Sequence, residues 1–101
     1  RENYRQALAI YVEFGDRYNQ AGTYFHLGKV AEALGEMEEA KANYLLDLQI
    51  TAEFNDRHGL GISLRNLGRF YQDTKDDSLL EALAGIFGVG VEEVRQAIES
   101  T

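Results

Sequence analysis

The sequence predicts an all-α fold of stacked antiparallel helix pairs, and three observations carry that expectation. First, two stretches at an offset of 40 residues share Asn3/Asn43, Tyr4/Tyr44, Leu8/Leu48, Ile10/Ile50, Glu13/Glu53, Phe14/Phe54, Asp16/Asp56, Arg17/Arg57, Leu27/Leu67 and Gly28/Gly68. A period between about twenty and fifty residues marks a unit whose apolar face is buried only against its neighbours. Second, apolar residues recur at helical rather than strand spacing throughout the repeat. Third, both copies carry the same boundary, Gly15-Asp16 and Asn55-Asp56, where one helix ends and a carboxylate can cap the next.

Each element follows from that pattern. From Glu2 to Phe14, Tyr4, Ala7, Leu8, Tyr11 and Val12 form one helical stripe, closed by Gly15. Asp16 caps a second helix over about Arg17 to Leu34, where Tyr24, Leu27, Gly28 and Ala31 share a face. Gly35 closes it. The third helix, about Met37 to Phe54, presents Ala40, Tyr44 and Leu48 together with Leu45, Leu46 and Ile50, a wide surface suited to burial between two partners. Glu36, Glu38 and Glu39 stand at its start, where negative charge suits the helix dipole. The fourth, about Arg57 to Thr74, is expected to turn Leu60, Leu64, Leu67 and Tyr71 inward, with Gly59 and Gly61 weakening its first turn by about 1 kcal/mol each relative to alanine. Lys75-Asp76-Asp77 makes a turn, and a shorter helix follows from Leu79 to Phe87. After Gly88-Val89-Gly90, the residues Val91, Val94 and Ile98 give a last amphipathic helix with Glu92 and Glu93 in its first turn.

These spans set the organisation: residues 1–14 as the second helix of a preceding repeat, 16–54 as a repeat, 56–87 as a diverged repeat and 91–100 as a capping helix. The start at Arg1, within what reads as a second helix, fits a piece of a longer protein. The stretch from Leu79 to Ser100 reads either as a cap or as one more diverged repeat.

Composition narrows the function classes. A formal charge of −7 opposes a nucleic-acid surface, which needs clustered Lys and Arg. No apolar run approaches the roughly 20 residues that span a bilayer, so no membrane partner is expected. With no cysteine there is no disulfide or thiolate metal site, and a reducing cytoplasm is the simplest location. His26 and His58 lack ligand spacing, so no metal or other cofactor is expected. Gly88-Val89-Gly90-Val91-Glu92-Glu93 lacks the preceding strand and the Lys-Ser/Thr of a phosphate loop. No Ser-His-acid set is readable around Ser63, Ser78 or Ser100, and the chain is not expected to be an enzyme.

The series Tyr24-x-x-Leu27-Gly28-x-x-Ala31, then Ala40 and Tyr44, resembles the tetratricopeptide repeat, and the next copy supplies Leu64, Leu67, Gly68 and Tyr71. The forty-residue period is similar to the longer-helix form of that repeat in bacterial signalling proteins and animal polarity adaptors. The resemblance implies a right-handed α-solenoid of about six helices with a C-terminal capping pair, in which Gly28, Gly68 and Ala40 permit close helix approach. It also implies a protein-interaction scaffold that holds a peptide or partner segment on its concave wall. The sequence departs from the family in lacking the terminal proline, in placing Asp47 where a small residue packs, and in matching Ala40 with Leu80.

On the implied register, Gly22, Phe25, His26, Lys29 and Glu32 line the wall from the first repeat, and Ile62, Arg65, Asn66, Arg69 and Asp73 from the second. Lys29, Arg65 and Arg69 place cations there in an acidic chain, which suits an acidic or C-terminal segment. Phe25 would then make an apolar contact and Asn66 would bond the peptide backbone. The competing reading leaves these cations as surface charges paired with Glu32 or Asp73. Phe25 and Lys29 occupy the lysine and asparagine positions of the family's carboxylate clamp, so that particular chemistry is not expected. The alternative function is homo-oligomerisation, in which Tyr4, Leu8 and Tyr11 pair with a second copy to give a homodimer.

Overall fold

A computed structural model describes residues 17–99, and its described residues are helical with no strand. Five helices follow in order: α1 Arg17–Ala33, α2 Met37–Glu53, α3 Arg57–Thr74, α4 Asp77–Phe87 and α5 Val91–Glu99. The helix expected over residues 2–14, the cap at Asp16 and the pairing residues Tyr4, Leu8 and Tyr11 lie outside the described residues. None of the described helices is long and apolar enough to cross a membrane.

Helix ends are set by residues that accept a left-handed backbone. Gly35 takes φ +77° after α1, the Glu36 N–H donates to the Ala31 carbonyl at 2.8 Å, and the Gly35 N–H donates to Glu32. Asn55 takes φ 53° after α2 in the same way, with the Asp56 N–H on Thr51 and its own N–H on Ala52. Both are double-bonded C-terminal motifs that satisfy carbonyls the helix leaves free. The starts of α3 and α4 are set by side-chain oxygens. Asp56 accepts the Gly59 N–H at 3.0 Å before α3, and Asp76 accepts the Ser78 N–H at 3.0 Å before α4. The Asp76 cap moves the start of α4 to Asp77, two residues ahead of the expected Leu79.

The chain gathers into two compact units, Arg1–Leu64 and Arg65–Thr101, with the division falling within α3. In the first unit α1 and α2 pack together along their length. Leu27 and Ala31 of α1 are buried, and Ala40, Tyr44, Leu48 and Ile50 of α2 are wholly inaccessible to solvent. Gly28 explains how close the two helices come, since a Cβ there would lie 2.5 Å from Cε1 of Tyr44. The expected small-residue approach thus holds at Gly28. At Gly68 it does not, because a Cβ would meet only Ile98 Cγ2 at 3.9 Å, an ordinary contact.

The second unit buries Leu67, Phe70 and Tyr71 of α3, Leu79, Leu80, Leu83 and Ala84 of α4, and Val94 of α5. The inward face of α3 differs from the expected one: Leu64 is 39% exposed, whereas Ser63 and Phe70 are buried. The stripe therefore runs through Ser63, Asn66, Leu67, Phe70 and Tyr71, rotated by one side chain from the all-leucine register. Around Tyr71 the polar contacts converge. Its hydroxyl donates to Asp77 Oδ1 at 3.0 Å and accepts from Arg95, which also pairs with Glu92 at 3.1 Å. Burial first, and then the Asp77 carboxylate, push the Tyr71 phenol above its ordinary range.

Candidate functional site

Helix α1 begins beside the end of α2, and a set of polar and ring contacts fixes the pair. Arg17 Nε donates to Glu53 at 2.8 Å, the rings of Tyr18 and Phe54 meet edge to face at 5.4 Å, and the Tyr18 hydroxyl donates to Asp56 Oδ2 at 2.6 Å. Asp56 thereby accepts twice, from Tyr18 and from the Gly59 N–H. The Tyr18 hydrogen bond, followed by that of Gly59, holds the Asp56 carboxyl below its ordinary value, and the same bond raises the Tyr18 phenol.

Next to this contact a cleft of about 290 Å³ opens within the first unit. Its apolar lining includes Ala21, Gly22, Phe25 and Ile62. Its buried polar lining is Asp47, Thr51 and Ser63, which are 5%, 4% and 2% exposed. Two of those side chains spend their protons inward: the Thr51 hydroxyl donates to the Leu48 carbonyl at 3.0 Å, and the Ser63 hydroxyl donates to Asp47 Oδ2 at 2.7 Å. Burial raises the Asp47 carboxyl above its ordinary value, and the Ser63 hydrogen bond offsets that only in part. No Lys, Arg or His among the described residues forms an ion pair with Asp47.

The residues expected on a binding wall are distributed between the units. In the first, Phe25 is half-buried against Tyr44, with ring centroids 6.1 Å apart, and exposed Lys29 places its ammonium 5.4 Å from the Phe25 centroid. In the second, Arg65 is exposed and has no ion-pair partner among the described residues. Arg69 pairs with Asp73 at 3.1 Å, the surface pairing weighed above as the competing reading for this cation, and also donates to Asn66 Oδ1 at 3.0 Å. Asn66 itself is 8% exposed, and its Nδ2 is buried without an acceptor. Because Arg69 can only donate, Oδ1 must face it, which leaves the amide N–H₂ as the open group.

The histidines stand on exposed positions, His26 edge to face with Phe25 at 5.7 Å and His58 near the start of α3. Among the described residues, no group of three or more His, Asp or Glu is placed to hold a metal ion. Sequence reasoning missed the Asp47–Ser63 pair. Its one available signal was a carboxylate inside the apolar stripe of α2, at a position where the repeat pattern calls for a small side chain. No protein-family model matches the chain, and neither does any curated protein or solved structure.

Proposed function

We propose that the chain is a protein-interaction module of the tetratricopeptide type, a right-handed solenoid fragment in the cytoplasm that binds an acidic or carboxylate-bearing partner segment through Arg65, Asn66 and Arg69. The observation that carries this reading is the Asn66 amide. A buried donor without an acceptor costs about 1–3 kcal/mol, and here it belongs to a side chain whose Oδ1 takes the Arg69 guanidinium at 3.0 Å. Arg65 and Arg69, four residues apart on one helix, add a like-charge cost of a few tenths of a kcal/mol. A ligand carboxylate together with a peptide carbonyl relieves both, the first by bidentate pairing and the second by accepting from Nδ2. The forty-residue repeat and the Gly28–Tyr44 packing support the resemblance, and a fold of this kind leaves function to its surface residues. The binding role is not catalytic.

Selection from a displayed peptide library with free C-termini tests the reading, with the native chain and Arg65→Glu/Arg69→Glu as baits. Charged hydrogen bonds contribute about 1.5–3 kcal/mol each, so the double reversal is expected to weaken selected acidic peptides by at least about 100-fold. Enrichment of the same sequences by both baits overturns the assignment, as does enrichment of nothing but the bait's own sequence.

A further inference from the structure

We propose that the cleft of the first unit receives the arginine side chain of a partner's extended segment, gripped by Asp47 and Ser63. The hydroxyl protons of Thr51 and Ser63 are both committed, to Leu48 and to Asp47, so those oxygens keep only lone pairs for a ligand. Asp47 Oδ2 accepts from Ser63, while Oδ1 accepts no hydrogen bond from the described residues. The other carboxylate lining the cleft, Asp56, is only partly buried and already accepts from Tyr18 on Oδ2 and from Gly59 on Oδ1. The buried polar lining is therefore a set of acceptors around one carboxylate, and what enters must donate.

Shape and charge narrow the donor. Apolar walls from Ala21, Gly22, Phe25 and Ile62 suit an aliphatic stem, and the buried Asp47 carboxylate suits one cation at its end. A guanidinium fits better than an ammonium because its planar fork places donors on Asp47 Oδ1 and a Ser63 lone pair together. The cleft volume, about 290 Å³, lies at the lower edge of small-molecule sites, which favours one or two side chains over a cofactor. Asp47 itself favours a cation, since a carboxylate 5% exposed and without one is costly to the fold and gains most from its arrival.

The inference rests on reading the chain as an interaction module. Its ligand is opposite in charge to that assigned to Arg65 and Arg69, so either assignment can fail alone. The test is titration of the ¹⁵N-labelled 101-residue chain with acetyl-Ala-Leu-Arg-Leu-Ala-amide, its norleucine counterpart, and agmatine. The arginine peptide is expected to shift the amides of Gly22, Phe25, Asp47 and Ser63, and to bind at least tenfold more tightly than the norleucine peptide. Asp47→Asn, whose own spectrum reports whether it folds, should erase that preference. Ser63→Ala should reduce it while leaving the Asp47 charge in place. Equal binding of the arginine and norleucine peptides overturns the proposal, as does a preference that survives Asp47→Asn. Saturation of the cleft by agmatine with no effect from the arginine peptide overturns the assignment to a partner's side chain.

Discussion

Replacing Tyr44 with alanine is expected to destabilise the first unit by about 3–5 kcal/mol, the range for losing a fully buried aromatic ring from a core. Tyr44 is wholly inaccessible to solvent, it fills the space that Gly28 leaves open, and its hydroxyl donates to Glu32 at 2.6 Å. Neither neighbour can close the gap. Gly28 has no side chain to move in, and Phe25 already meets the ring from the side. Small domains are stable by about 5–15 kcal/mol in all, so the loss should be plain in urea unfolding followed by far-UV circular dichroism. A loss under about 1 kcal/mol, the scale of an ordinary surface change, would mean that Tyr44 does not hold α1 against α2.

Leu80→Ala is the second substitution expected to have a large effect, about 2–5 kcal/mol. The sequence repeat matches Leu80 with Ala40, so on the repeat pattern alone alanine restores the expected small residue. The structure points the other way. Leu80 is fully buried with Leu79 and Leu83 of α4 in the core of the second unit, which also contains Leu67 and Phe70, and alanine would leave a cavity there. Thermal unfolding distinguishes the two cases: a lower midpoint follows from the packing seen here, and an unchanged or higher one from repeat geometry.

Leu80 marks a boundary between what was legible in the sequence and what was not. Most spans of the described helices were legible, because local chemistry sets them: Gly35 closes α1 and Asp56 caps α3, whereas Asp76, read as part of a turn, caps α4 and starts it two residues early. The close approach at Gly28 was legible too, since a glycine on the inner face of one helix leaves room for a large ring on its partner. The inward face of α3 was not. A helix advances about 100° per residue, so Leu64 and Ser63 are both credible on the core side, and counting apolar residues favours the wrong one. Ser63 turns inward to meet Asp47, a partner sixteen residues away that no local pattern reveals. The open donor of Asn66 was hidden for a related reason, because the sequence cannot say whether an amide on a helix finds its acceptors.

Asp47 and Asn66 share a property that ties these observations to function. Each is a polar group buried with part of its bonding capacity unused, which weakens the free protein and rewards a ligand. Of the two, Asp47 gives the cleaner measurement because its charge titrates. The folded chain holds the Asp47 proton to higher pH than the unfolded chain does, where the ordinary value is 3.8. Stability contributed by this group should therefore fall as pH rises from that value through the raised one, and the deficit should persist at neutral pH. Urea unfolding of the native chain and Asp47→Asn, run in parallel across the acid-to-neutral range, tests this directly. The variant is expected to be the more stable protein at neutral pH, with an advantage that disappears below about pH 3.8. A variant less stable than the native chain at neutral pH would contradict this, and would make Asp47 a support of the fold instead of a group held for a partner.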